Sequence, residues 1–260
     1  MRFKLILEVN KRVFGNRLPI NYQYEQSAAI YKILSYGDKD YAAWLHENGF
    51  QLENGKKFKL FTFSRFKIEN RKVLEKEKQI VIFSDTVEWQ ITFLPEKSTR
   101  QFVTGLFANQ IFEIGDKKSV VQFIVKSIEA MPSPVYTSEM IFKTMSPMCL
   151  RFKREDNKID YLSPTDVRSK RILIQGLLDR YCSYYGTSLD CSWEECNFEV
   201  LDEPQSRLVL IKAGTKEKTQ VRGYECTFKM SAPVELLQLM YESGAGSLCA
   251  QGFGCLRMVK

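Results

Sequence analysis

A chain of 260 residues that is 44% apolar and 13% aromatic can bury a sizeable core, which excludes disorder as its default state and suggests two domains rather than one. Its formal charge is +7, and all of the excess lies in residues 1–80, where 16 basic side chains meet 9 acidic ones and leave 22 of each for the remainder. No apolar run approaches the roughly 18 residues of a membrane span, and the basic start leads into a strand pattern rather than a signal peptide, so a soluble, cytoplasmic protein is expected.

"MRFKLILEV" alternates Phe3, Leu5, Leu7 and Val9 with other residues, the period of a half-buried strand. "YEQSAAIYKILSYG" carries Ala28, Ala29, Ile30, Ile33 and Leu34 at helical spacing and stops at Gly37. Asp38 can then cap a second helix, "DKDYAAWLHENG", which Gly49 ends and whose last turn holds His46, the chain's one histidine. Two strand candidates follow, "FKLFTFSRFKI" and "QIVIFS", then a helical stretch over about Val87 to Leu106 interrupted by Pro95, then the strand pair "NQIFEIGDKKSVVQFIVKSIE". The order is βαββαβ, that of a ferredoxin-like sandwich.

The prolines of "AMPSPVY" suggest a linker, which divides the chain into domains 1–130 and 131–260. Beyond it, the strand pattern "SEMIFKTMSPMCLRF" precedes the helix "SPTDVRSKRILIQGLLDRYCSYYG". Then come strands "FEVLD", "SRLVLIKAG" and "QVRGYECTFKM", the helix "PVELLQLMYESG" and a last strand "FGCLRMV". The expectation is an α+β protein of two tandem ferredoxin-like (RRM-like) βαββαβ domains.

The concentrated positive charge is either a solvated face or a site for a polyanion, because Lys and Arg that neutralise phosphates release counterions. Seven cysteines include no CxxC pair; "CSWEEC" is the nearest candidate for a metal site, and reduced thiols with neither metal nor cofactor are expected. No G-x-S-x-G elbow accompanies His46, and the 31 acids show no paired-carboxylate pattern. "ESGAGSLCAQGFGCLRMV" places Gly244, Gly246, Gly252 and Gly254 within eleven residues, but a dinucleotide fingerprint would need glycine where Cys249 stands, and a helix precedes the segment where a strand should.

"LHENGF" and "FKLFTFSRF" early in the chain, with "GAGSLCAQGFG" near its end, resemble the CRISPR repeat endoribonucleases, the sixth Cas family. The resemblance spans both halves. It implies metal-independent cleavage of the repeat RNA in precursor transcripts by the neighbouring ribose 2′-hydroxyl, with catalytic His46, Tyr31 and Lys59. The loop after His46 is longer than the family's and also carries Lys56 and Lys57, so three lysines are candidates for the cation at the phosphate. Self-cleavage of RNA needs a base, an acid and a cation, and one histidine fills one proton-transfer role at a time.

Further RNA contacts are expected from Lys56, Lys57, Arg65, Arg168, Lys170 and Arg171 and from the loop of Gly244, Gly246, Gly252 and Gly254. CRISPR effector subunits and a second copy of the chain are the other partners that the resemblance implies. A repeat-binding subunit that does not cleave is the alternative reading, and the same basic surface would serve it.

Overall fold

The computed structural model describes residues 1–213 and 217–259. In the first half, β1 (Arg2–Asn10) leads through the short β2 (Arg17–Pro19) to α1 (Gln23–Gly37) and α2 (Lys39–Glu47). A small hairpin of β3 (Phe50–Gln51) and β4 (Lys57–Phe58) precedes β5 (Phe61–Phe63), and a second hairpin, β6 (Arg71–Leu74) and β7 (Gln79–Ile82), precedes β8 (Thr86–Phe93). Helix α3 (Glu96–Ala108) and the hairpin β9 (Ile111–Gly115) and β10 (Val120–Met131) complete it.

The main sheet runs β5-β8-β1-β10-β9, antiparallel throughout. Without the edge strand β9 this is the order of a ferredoxin-like sheet, with the first and third strands in the centre. Phe3, Leu5, Leu7 and Val9 of β1 are buried, and α1 and α3 pack onto them with Ile30, Ile33, Phe102 and Leu106.

Two expectations fail in this half. The helix over Val87 to Leu106 is instead a strand to Phe93 followed by a helix from Glu96. "TVEWQITF" buries Val87, Trp89, Ile91 and Phe93, a period of two that β-branched and aromatic residues favour. Pro95 does not interrupt a helix; it occupies the N-cap, where its missing N–H costs no helical hydrogen bond. "QIVIFS" does form a strand, but it pairs in a separate β2-β7-β6 sheet, and β8 takes its expected place.

In the second half, β11 (Glu139–Thr144) is followed by the hairpin β12 (Arg151–Lys153) and β13 (Ile159–Tyr161), then α4 (Ser169–Tyr185) and β14 (Asn197–Val200). The hairpin β15 (Gln205–Ile211) and β16 (Thr219–Glu225) precedes β17 (Thr227–Ser231), α5 (Val234–Ser243) and β18 (Leu256–Val259). The sheet order β14-β17-β11-β18 is again that of a ferredoxin-like fold. "QVRGYECTFKM" is not one strand: it breaks at Cys226, whose N–H donates to Thr144 Oγ1 at 2.9 Å, so β16 leaves the sheet to pair with β15 and β17 remains in it. Gly214, the end of the "SRLVLIKAG" strand expectation, lies outside the described residues.

"AMPSPVY" begins inside β10, which extends to Met131; residues 132–138 carry no regular structure. No helix among the described residues is long and apolar enough to cross a membrane.

Candidate active site and nucleic-acid groove

Asp38 caps α2 as expected, accepting from the Tyr41 N–H at 2.9 Å. The helix buries Tyr41, Ala42 and Leu45 and so leaves His46, one residue on from Leu45, exposed in its last turn. Tyr31 on α1 stands beneath it: the phenol ring meets the imidazole edge-on at 4.9 Å between centroids and Phe61 at 5.6 Å. Burial, and then neighbouring Tyr41, raises the Tyr31 pKa, so its phenol stays protonated well beyond neutral pH.

After α2 the chain turns back at Gly49, whose φ of +64° is left-handed and whose Cα lies so close to Phe58 that a Cβ would sit 2.4 Å from the Phe58 carbonyl oxygen. This return aligns the lysines with the end of the helix. Lys59 Nζ donates to the His46 carbonyl at 2.7 Å, and Lys57 Nζ to that of Glu47 at 3.2 Å. Both ammonium groups lie at the negative end of the α2 dipole. Lys56 points elsewhere and pairs with Asp179 of α4 at 2.6 Å. Of the three candidate lysines, Lys59 is therefore the one tied to His46 itself. Partial burial, reinforced by the charge of Lys57, lowers the Lys59 pKa to about 8. Leu60, directly after it, is 3% exposed and holds a left-handed φ of 54°, a strained conformation for a branched residue.

Lys59 also opens onto a groove of about 460 Å³ between the two halves. Lys56, Lys57 and Leu60 line one wall; Arg151, Arg180 and residues 246–251 line the other. His46 and Tyr31 do not line it; Lys59, bonded to the His46 backbone carbonyl, is what joins the end of α2 to the groove.

The four glycines of the C-terminal loop are all buried. A Cβ on Gly254, at φ +70°, would lie 2.0 Å from the Ala245 carbonyl oxygen, and one on Gly252 would lie 2.8 Å from the Phe63 ring. Their compactness lets the loop reach the first half, where its carbonyls are held: Gln23 donates to Gly252 O at 2.7 Å, Ser27 to Ala250 O at 2.6 Å and Thr62 to Phe253 O at 2.8 Å. Of the four, Gly246 lines the groove.

The remaining basic positions are dispersed. Arg65 pairs with Glu225 at 3.1 Å and faces a separate cavity of about 310 Å³ with Tyr22 and Arg71. Arg168 pairs with Asp166, holding that carboxyl down at about 2, and lies over Phe152. Lys170 and Arg171 lie over Trp193. These three cations stand at the N-terminal end of α4, whose later residues Gly176 and Arg180 reach the groove.

Sequence reasoning missed Arg151 and Arg180. Arg180 is 6% exposed and donates to the carbonyls of Gly244 and Gly246 and to Ser243 Oγ, which fixes the glycine loop from its own side. The signal was an arginine at the apolar spacing of Leu173 and Leu177 on α4, where a charged side chain must find buried partners. Arg151 carries no comparable mark.

The family model for CRISPR-associated protein Cas6, N-terminal, matches residues 17–129, and that for CRISPR associated protein Cas6, C-terminal, matches residues 131–258. The chain is 29% identical over 257 residues to CRISPR-associated endoribonuclease Cas6 1 of Methanocaldococcus jannaschii, covering 98% of this chain and 91% of that protein. Among solved structures, the product of a Cas6-related gene from Pyrococcus furiosus superposes with a TM-score of 0.83 at 25% identity, covering 100% of this chain and 98% of that one. A RAMP protein described as binding different RNA substrates gives 0.81 at 26% identity, with both chains fully covered. With family models matched on both sides of residue 130 and the tandem ferredoxin-like architecture, the chain belongs to the Cas6 family.

Proposed function

We propose that this protein cleaves the repeat RNA of precursor CRISPR transcripts without a metal ion, the ribose 2′-hydroxyl attacking the adjacent phosphodiester to leave a 2′,3′-cyclic phosphate and a 5′-hydroxyl. The observation that carries the reading is the meeting of three groups at the end of α2: an exposed imidazole, the phenol beneath it, and an ammonium hydrogen-bonded to the histidine's own carbonyl. His46 transfers the proton. Tyr31, kept neutral by burial, orients the ring and can donate but not act as a phenolate base. Lys59, charged below about pH 8, stabilises the negative charge of the phosphorane.

On this reading residues 1–130 carry the chemistry. Residues 131–260 close the groove and contribute cations that bind phosphates, Arg151 in the groove, with Arg168, Lys170 and Arg171 at the N-terminal end of α4, while the buried Arg180 holds the glycine loop in place. The glycines then act through the backbone path they permit.

The test uses two repeat RNAs, one all-ribose and one with a single 2′-deoxyribose at the cut, in buffer with EDTA. The protein is expected to cut only the first, and His46→Ala to slow that cutting by about two to four orders of magnitude while binding is retained. Cutting of the deoxy substrate would overturn the 2′-hydroxyl mechanism, and undiminished cutting by the variant would remove His46 from it. Cutting of neither RNA would leave a protein that only binds repeats.

A further inference from the structure

"CSWEEC" is part of no group of three or more possible metal ligands among the described residues. Yet the segment brings its two thiols together. Cys191 Sγ and Cys196 Sγ are 3.5 Å apart, both unbridged. We propose that Cys191 and Cys196 are a reversible dithiol site that a low-molecular-weight disulfide oxidises to an intramolecular bridge.

The loop is already shaped for closure. Glu195 Oε2 accepts from the Ser192 N–H at 2.9 Å, and the Cys191 N–H donates to Leu189 O at 2.9 Å. Cys196 is followed at once by β14, which is paired into the sheet from Asn197 onward. A disulfide needs about 2.05 Å between sulfurs, so the thiols must approach by about 1.5 Å, which rotation about their χ1 angles can supply in a short loop.

The two thiols differ in access. Cys191 is half-buried and lines a surface cavity of about 430 Å³ beside Asp190, Glu195, Ser231 and Pro233. Cys196 lies beneath at 2% exposure, its thiol pushed up to about 12 first by burial and then by its bond to Cys191. Cys191 therefore meets the oxidant. Its thiolate attacks one sulfur of the small disulfide and expels the other half as a thiolate, which takes up a proton. Cys196, losing its proton, then attacks Cys191 Sγ and expels the second half. Two protein thiols and one small disulfide thus give one protein disulfide and two small thiols. The carboxylates of Asp190, Glu195 and Glu139 at the cavity favour an uncharged oxidant over an anionic one.

Closure has a consequence on the RNA-facing helix. Trp193, between the two cysteines, lies 5.5 Å from Lys170 Nζ and 5.7 Å from the Arg171 guanidinium carbon, and Lys170 also donates to Glu194 O at 3.3 Å. A bridge from 191 to 196 fixes the loop on which both cations rest.

The experiment treats the reduced full-length protein with 2-hydroxyethyl disulfide, quenches with iodoacetamide under denaturing conditions, and maps the peptides by mass. The expected protein has lost two hydrogens, carries alkyl groups on five of its seven cysteines, and yields a fragment bridged from Cys191 to Cys196 that dithiothreitol reopens. Cys196→Ser should retain a mercaptoethanol adduct on Cys191, and Cys191→Ser should show neither adduct nor bridge. Seven alkylated cysteines after oxidation, a bridge to another thiol, or a lasting adduct on wild-type Cys191 would each overturn the proposal. His46→Ala should close the bridge as the wild type does, which separates this outcome from that of the cleavage assay.

Discussion

At the scale of single residues, Lys59 is the shifted group of the site whose titration lies nearest neutral pH. Its ammonium is partly withdrawn from water and lies near Lys57, and both effects favour the neutral amine. Because its folded-state value is lowered, the charge is largely present at neutral pH and is lost as pH rises through about 8. If that charge stabilises the phosphorane, kcat/KM, which reports the free enzyme, should fall above about pH 8 in the wild type. Lys59→Arg keeps its charge throughout and should lose this alkaline limb even if its rate is lower. An unchanged limb in the variant would assign the titration to another group. The lone histidine and the family resemblance pointed to His46, Tyr31 and Lys59 as candidates before any coordinates, and the fold brings the three together at the end of α2, but which of Lys56, Lys57 and Lys59 is tied to His46 was not legible. It depends on Asp179, more than a hundred residues away, which engages Lys56.

At the scale of elements, the seam between α1 and α3 depends on two glycines. A Cβ on Gly105 would lie 1.8 Å from the Ile33 carbonyl oxygen, and one on Gly37 would lie 2.2 Å from that of Gln101. Backbone meets backbone there, so an added methyl group must separate the helices. Gly105→Ala should destabilise by about 1–3 kcal/mol, seen as a lower urea midpoint with an unchanged slope. Gly176→Ala, on a stretch of α4 with nothing within 4 Å of the added carbon, should be neutral or stabilise by up to about 1 kcal/mol. Equal effects at the two positions would contradict this account of the seam.

The elements also mark where sequence patterns stop deciding. β1 was legible because its alternation is strict and its buried face faces one core. "TVEWQITF" was misread because Val87 to Leu106 holds apolar residues at both periods, and Pro95 was taken as a break where it is a beginning. "QIVIFS" showed its strand character but not its partner, since register and pairing are settled by residues far along the chain. The departure of β15 and β16 from the second sheet was invisible for the same reason.

At the scale of the whole molecule, three cations of the basic first eighty residues, Lys56, Lys57 and Lys59, and Arg151 and Arg180 of the second half line the same groove. Arg151 is exposed on the far wall. If it contacts a phosphate of single-stranded RNA, Arg151→Gln should make the slope of log affinity against log salt shallower by about 0.7. An unchanged slope would remove Arg151 from the contact. Such a groove could not be read from composition, which located the charge in the first eighty residues and gave no sign of the wall supplied by the second half.

The carbonyls of Gly244, Gly246, Ala250, Gly252 and Phe253 are each gripped by side chains of Arg180, Ser27, Gln23 or Thr62. That lip is thus riveted through its main chain, while the side chain of Ser247, a residue that also lines the groove, fastens none of these rivets. If RNA enters by this opening, exchanging Ser247 retunes which nucleotides it admits while the frame keeps its shape, so repertoire and architecture can evolve separately in one short segment.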